Sequence, residues 1–280
     1  MLVSANLPAP VASRSYIFEA RLLNLLRDTI IIAAKFFVPL WSIAATFMLP
    51  VYFLQDLISW QGSEVISWLV SPFIWVGNYF TSFVIAGEVS NVCLGGTASF
   101  WKAMYKTSIK GVGRLLGTDM LFFLGLASVM IIGYGISAVF SLGNVGIVGD
   151  FAVGAILLCL TGWLFLFTTQ VVAIERIYWF SALKRSASIA WKSKRRSAAI
   201  FVLFLLCWLV TFIAIPSLIS KLVAYVTGTD ILADMISSIA TATFLPVPII
   251  FLTLAYYSLR RLSGELSVDV LADIKAYEMS

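Results

Sequence analysis

The residues best placed to do chemistry in this sequence are acidic side chains that fall in or beside long apolar stretches. Glu88, Asp119 and Glu175 are such residues, and an ionisable group inside a membrane is costly to bury and usually functional. The chain contains no histidine, which excludes Ser-His-Asp triads, Cys-His pairs, HExxH zinc sites and histidine proton relays. The sequence pairs none of the three with a nucleophile or a metal-ligand cluster. We therefore expect no enzyme, no cofactor and no metal site.

The composition points to a membrane protein. Of the 280 residues, 61% are hydrophobic and only 12% are charged, whereas an ordinary soluble domain has about 25% charged residues. Only a chain that meets lipid can leave so much apolar surface outside an aqueous core. We therefore predict an all-α, polytopic membrane protein that forms a single membrane domain over residues 1–280.

Six stretches of the sequence are long and apolar enough to be predicted as transmembrane helices, which need about 20 mainly apolar residues each. The predicted spans cover approximately residues 29–54, 65–93, 115–142, 147–174, 198–226 and 231–257.

The basic residues predict the orientation of these spans. Of the 19 Lys and Arg residues, 17 fall on one side of a six-span arrangement. They lie in the N-terminal arm, in the loops after the second and fourth spans, and in the C-terminal tail. Because positive charge accumulates on the cytoplasmic side, we expect both termini in the cytoplasm and the protein in a bacterial cytoplasmic (inner) membrane.

The two long basic loops predict amphipathic cytoplasmic helices over approximately residues 98–114 and 175–196. Basic residues recur every four positions from Lys102 to Arg114, and in the second loop Phe180, Leu183 and Trp191 share an apolar face. Aromatic rings at headgroup depth beside bases that meet anionic phosphates are typical of an interfacial helix. The candidate residues for binding lipid or a partner are Trp101, Lys102, Lys106, Lys110, Arg114, Lys184, Arg185, Lys192 and Arg195.

Several explanations of these charges stay open. The bases could serve orientation alone, bind anionic phospholipid, or dock a protein partner or a second copy of the chain. Nucleic acid is not an expected partner, because the bases lie against the membrane.

A short pattern is repeated in the two loops: alanine, a long aliphatic residue, any residue, a base and a hydroxyl. It begins at Ala103 and again at Ala182, which are 79 residues apart. Each copy follows an aromatic residue and precedes a predicted span. The placement predicts a duplicated helical hairpin, with chance similarity of a short pattern as the alternative.

Four polar residues inside the predicted spans are interpreted as structural. Lys35 could pair with Glu88 or Asp119 and so tie the first three spans together. All three also lie near the cytoplasmic ends of their spans, from which they could snorkel to the interface. Asn78 is nearer the middle of its span, where interhelical hydrogen bonding is its ordinary role.

Prolines predict kinks in the first, fifth and sixth spans, because proline removes a backbone donor. They are Pro39, Pro50, Pro216, Pro246 and Pro248. Since broken helices build the substrate sites of transporters, the alternative hypothesis is a transporter or permease subunit with a site between these spans.

Two segments resemble the signature of a known membrane family. They are Glu175-Arg176 with Ala182-Leu183-Lys184-Arg185-Ser186, and Tyr256-Tyr257-Ser258-Leu259-Arg260-Arg261 with Glu265. The family is the membrane domain found attached to some bacterial glycerophosphodiester phosphodiesterases, and the resemblance covers approximately residues 80–270. The phosphodiesterase activity of those proteins belongs to a separate soluble barrel with catalytic histidines and a metal. The resemblance therefore implies a non-enzymatic membrane module, which we expect to organise anionic lipid or a partner complex.

Overall fold

The structure is a computed structural model and is all-helical. It describes residues 22–60, 64–106, 113–118, 120–121, 124–125, 127–128, 131 and 147–265. No strand occurs within these ranges, which confirms the predicted all-α class.

The helices follow one another along the chain with short connections, and two of them continue into π-helical turns. In order they are α1 (Leu22–Lys35), α2 (Phe37–Trp60), α3 (Glu64–Cys93), α4 (Phe100–Lys106), α5 (Ile147–Leu164), α6 (Thr168–Gln170), π1 (Val171–Glu175), α7 (Trp179–Lys192), α8 (Lys194–Leu209), π2 (Val210–Ala214), α9 (Ile215–Thr227), α10 (Asp230–Phe244) and α11 (Pro246–Leu262).

Four helical stretches of the described residues are long and apolar enough to cross a membrane. They are Phe37–Ile58, Gly154–Glu175, Lys194–Thr227 and Asp230–Leu262, and they correspond to the first, fourth, fifth and sixth predicted spans. Helix α3, on which the second predicted span falls, has 30 residues but is not among the four. Most of the third predicted span, 115–142, lies outside the described residues.

Four of the five prolines predicted to kink a helix lie at or just after a break, whereas α2 continues through Pro50 without one. Pro39 follows the interruption at Phe36 between α1 and α2, and Pro216 follows π2. Pro246 begins α11 directly after the break at Leu245, with Pro248 in the same turn. A proline cannot donate to the carbonyl four residues earlier, so the regular helix gives way just before each of these residues.

Helix α11 is the central helix of the bundle. Every residue from Ile249 to Leu259 is buried, and the helix packs against α1, α3 and α8. A helix buried on all sides can carry apolar side chains around its whole circumference. At the end of this helix near Leu262, the hydroxyls of Ser90 on α3 and Tyr257 lie 2.5 Å apart and share a hydrogen bond.

The opposite end of the bundle is held by polar contacts between α2 and α10. Ser238 donates to Asp56 with an O···O distance of 2.7 Å, and the indole of Trp60 donates to Asp234 at 3.3 Å. These contacts fix α10 beside α2, so the two ends of the bundle carry different polar groups.

Candidate functional site

A cluster of ion pairs joins three elements at the end of the bundle where α11 stops. It connects the last residue of π1, one face of α7, and the C-terminal part of α11 with the turn that follows it. We call it the ion-pair cluster, and its members are Glu175, Arg185, Lys192, Tyr256, Arg260 and Glu265.

Arg185 is the bridge of the cluster. Its Nε lies 2.9 Å from Oε2 of Glu175, and its Nη2 lies 2.6 Å from Oε2 of Glu265. Its side chain is 24% exposed. The planar guanidinium can serve two carboxylates at once, which the point charge of lysine cannot do in the same geometry.

Arg260 closes the cluster from α11. Its Nη1 lies 3.2 Å from Oε1 of Glu175, and its guanidinium stacks 5.6 Å from the ring centroid of Tyr256. The Tyr256 hydroxyl donates to the same Glu175 oxygen and accepts from Nη1 of Arg260 at 3.3 Å. Glu175 therefore has partners on both α7 and α11.

The local sequence explains how these side chains meet. Arg185 and Lys192 are seven residues apart on α7, which places them two turns apart on one face. Gly264 adopts φ +72°, a conformation that glycine takes at no steric cost. The chain turns back there, and the Glu265 N–H bonds to the Arg260 carbonyl at 3.0 Å. The turn brings Glu265 to Arg185 and to Lys192, whose Nζ lies 2.6 Å away.

Charge pairing shifts the pKa of Glu265 and of Arg185 in opposite directions. Burial raises the pKa of Glu265, but hydrogen bonds from Arg185 and Lys192 and their positive charges outweigh it and hold the pKa below its ordinary value. Burial lowers the pKa of Arg185, but hydrogen bonds to Glu175 and Glu265 and their negative charges raise it overall. The cluster thus favours the charged form of both groups.

The lowered pKa of Glu265 predicts a loss of stability in acid. The stabilisation is complete above the ordinary pKa of 4.5 and disappears as pH falls through the lower value of the folded protein. We expect the melting temperature of the detergent-solubilised protein to fall more steeply below pH 4.5 than that of Glu265→Gln. Parallel pH profiles for the two proteins would contradict this prediction.

The basic residues predicted to bind lipid divide into two groups in the structure. Arg185 and Lys192 belong to the ion-pair cluster. Outside the cluster, Lys102, Arg114, Lys184 and Arg195 are exposed, as is the candidate Trp101, and Arg114 stacks over the Tyr178 ring at 5.1 Å. Lys110 and the side chain of Lys106 lie outside the described residues.

Helix α7 is amphipathic, but its faces differ from those predicted. Leu183 and Ala190 are buried with Ile189 against the bundle. Phe180 and Trp191, predicted on the same face as Leu183, are exposed by 72% and 62%. The helix therefore exposes large aromatic rings on either side of Lys184 in the sequence, although the Trp191 ring also lies 6.0 Å from that of Trp163.

The predicted intramembrane polar residues have separate environments. Lys35 is exposed, with its ammonium 5.3 Å from the ring centroid of Phe36. Glu88 is buried and accepts a hydrogen bond from the Ser99 N–H at 3.2 Å, next to the start of α4, where negative charge is favourable. Tyr52 donates to Asn78 between α2 and α3 at 3.4 Å. Asp119 lies outside the described residues.

An apolar cavity of about 650 Å³ lies between the helices that the prolines interrupt. Its walls come from α1 and the start of α2, from α8 and π2, and from the junction of α10 and α11. We call it the lateral groove, because rim residues such as Ile30 and Leu206 are exposed. Its other lining residues include Ala34, Leu203, Cys207 and Val210.

Neither the described residues nor comparisons with known proteins point to a catalytic centre. Among the residues that the structure describes, no group of three or more Cys, Asp and Glu could hold a metal ion. Protein-family models, curated proteins and solved structures give no match to this chain. The interpretation of the protein therefore depends on its own geometry.

Sequence reasoning from charge and periodicity did not find the ion-pair cluster. Tyr256, Arg260 and Glu265 were named in the family resemblance, and Arg260 was also counted among the bases of the C-terminal tail, but neither argument predicted a contact with Arg185. The available signal was Glu175, which precedes a strongly basic loop, because an isolated acid in a basic region usually has a partner. Glu265 gave no such signal, since Asp269 and Asp273 follow it.

Proposed function

We propose that this protein is a non-enzymatic, six-span module of a bacterial inner membrane, with both termini in the cytoplasm. Its basic amphipathic helices organise anionic phospholipid at the cytoplasmic surface. A protein partner bound to the same helices, or a second copy of the chain, is the competing interpretation.

The observation that carries the proposal is the pairing of exposed aromatic rings with exposed lysines on α4 and α7. Trp101 is 79% exposed and is followed by exposed Lys102. On α7, Phe180 and Trp191 are exposed on either side of Lys184. Large aromatic side chains are stable at the headgroup level of a bilayer, and neighbouring bases gain free energy from anionic lipid.

Matching environments support the duplicated hairpin. Trp101 and Phe180 are 79 residues apart and both exposed, while Ala103 and Ala182 are 79 residues apart and both buried. Both helices, α4 and α7, therefore have an exposed aromatic residue followed two positions later by a buried alanine.

The arrangement of the elements supports the proposed topology. Helix α3 is about 45 Å long at 1.5 Å per residue, which is more than the 30 Å hydrocarbon core requires. The ends of α3, π1 and α11 lie on the side that carries α4 and α7, as the positive-inside rule requires for a cytoplasmic surface.

The family resemblance gains support from the ion-pair cluster. Its two motifs are separated by about 70 residues, yet their charged side chains Glu175, Arg185, Arg260 and Glu265 contact one another. We propose that the two segments form one structural unit that holds α7 against the bundle.

The lateral groove bears on the transporter hypothesis. It lies between the first, fifth and sixth predicted spans, where that hypothesis places a site. Its almost wholly apolar lining favours a hydrophobic ligand over a polar metabolite, so a polar-substrate transporter is the weaker interpretation.

The test of the proposed function is the double variant Lys102→Gln with Lys184→Gln. Each basic residue near an anionic surface contributes about 1 kcal/mol, so we expect about thirtyfold weaker binding of the phosphatidylglycerol held by α4 and α7, measured by native mass spectrometry during lipid titration. Phosphatidylcholine retention and the melting temperature should not change.

The control is Lys221→Gln, because Lys221 is exposed on α9 and lies toward the opposite end of the bundle in the proposed topology. Unchanged phosphatidylglycerol retention in the double variant would overturn the lipid interpretation. Equal losses of binding free energy per removed charge in the double variant and the control would reduce the effect to net charge.

A further inference from the structure

The lateral groove is built to accept hydrocarbon. The hydroxyls in its lining are already bonded within their own helices: Thr29 donates to the Leu25 carbonyl at 2.7 Å, and Thr211 to the Cys207 carbonyl at 2.8 Å. Thr243 donates to Ile239 at 2.7 Å. A polar ligand would find no free donor among these hydroxyls and would lose its own hydration, which costs several kcal/mol per unpaired group.

The groove is longer than the hydrocarbon region of one leaflet of a bilayer. Its lining runs along α1 and α2 from Leu26 to Leu40, which is about 21 Å at 1.5 Å per residue. Half of the hydrocarbon core of a bilayer is about 15 Å. The groove is therefore long enough to take one extended acyl chain from the adjacent leaflet.

The groove is also placed where lipid can reach it. The wall formed by α8 and π2 belongs to a membrane-spanning stretch, and Leu206 and Val210 at its edge are about half exposed. In a bilayer such side chains face lipid tails, so a lipid chain can enter sideways without leaving the hydrocarbon phase.

Positive charge lies at the cytoplasmic end of the same wall. The first turn of α8 begins with Lys194, Arg195 and Arg196. Arg196 is seven residues before Leu203, which lines the groove, so both occupy one face of α8 about 10 Å apart. Among the described residues, Nε and Nη2 of Arg196 are buried without a hydrogen-bond partner. A phosphate oxygen would satisfy this guanidinium.

We propose that the lateral groove holds one acyl chain of an anionic phospholipid whose phosphate is bound by Arg196. This inference rests on the proposed function and names a specific lipid site beyond the surface contacts of α4 and α7. The apolar lining selects the chain, and the guanidinium selects the headgroup.

The test fills the groove and counts retained lipid. Ala34→Phe adds a ring inside the groove, while the matched control Ala198→Phe adds the same ring at an exposed position of α8 that does not line it. Purified, delipidated protein is titrated with phosphatidylglycerol and analysed by native mass spectrometry. We expect one tightly retained phospholipid in the unmodified protein and in Ala198→Phe, and at least tenfold weaker retention in Ala34→Phe.

A second variant separates headgroup from chain. Arg196→Gln should still retain one phospholipid but lose the preference for phosphatidylglycerol over phosphatidylcholine with the same chains.

A second groove-filling variant is Cys207→Trp, which fills the groove from α8 and replaces Ala34→Phe if that variant does not fold. Undiminished retention in a folded groove-filling variant, or no retained lipid in the unmodified protein, would overturn the proposal.

The test of the groove is independent of the test of the basic helices α4 and α7. Lys102→Gln with Lys184→Gln should keep the single retained lipid while losing the weaker phosphatidylglycerol binding. Loss of the groove lipid alone, in Ala34→Phe, should leave that weaker binding intact, so each proposal can fail separately.

Discussion

Replacing Tyr256 by alanine should lower the free energy of unfolding by about 3–5 kcal/mol, as for other buried aromatic residues. Tyr256 is fully buried, and its ring packs against Phe167 and Tyr257 with centroids 6.2 and 5.7 Å away. Its hydroxyl also holds Glu175. The loss should appear as a lower melting temperature in detergent, followed by tryptophan fluorescence.

Two further variants separate the contributions of the ring and the hydroxyl. Tyr256→Phe keeps the ring and should lose about 1.5–3 kcal/mol, the cost of a hydrogen bond to a charged partner. Tyr225→Ala is the control, because Tyr225 is 89% exposed. Equal destabilisation by Tyr256→Ala and Tyr225→Ala would contradict the central position of α11.

Replacing Arg185 by alanine should cost about 3 kcal/mol, the lower end of the range for breaking a buried ion pair. The lower end applies because its side chain is 24% exposed. The change leaves Glu175 and Glu265 without their shared cation, so their repulsion adds to the lost attraction. Thermal unfolding in detergent and limited proteolysis around α7 would both measure the loss.

The neighbouring lysine provides the control for this variant. Lys184→Ala also removes a positive charge, but Lys184, which precedes Arg185, is exposed. Its replacement should change the free energy of unfolding by less than about 0.5 kcal/mol. Arg185→Lys should recover only part of the stability, because lysine lacks the two-sided fork. Full recovery by lysine would show that charge alone, without geometry, holds the cluster.

The helical class and four spans could be predicted because they depend on local properties of the chain. A run of apolar residues identifies a span wherever it occurs, and Pro216 and Pro246 interrupt helices through their own missing donors. Local character also indicated a bonding role for Asn78 inside its span, and Tyr52 on α2 donates a hydrogen bond to it in the structure.

The ion-pair cluster could not be predicted because its members are brought together by tertiary structure. The helical periodicity of α7 assigned Arg185 and Lys184 to the same basic face. In the structure only Lys184 is exposed, because the turn at Gly264 returns Glu265 to Arg185. The roles of these two adjacent bases thus depend on a glycine about 80 residues away.

The π turns change how positions along a span relate to one another. A π turn holds about one residue more than an α turn, and one residue corresponds to 100° of rotation. Side chains before Val210 and after Ala214 on the stretch Lys194–Thr227 therefore follow two helical wheels with different phases. Spin-label or cysteine-accessibility scans along this stretch need a separate phase for each half, since a single period would assign the lipid-facing side of one half incorrectly.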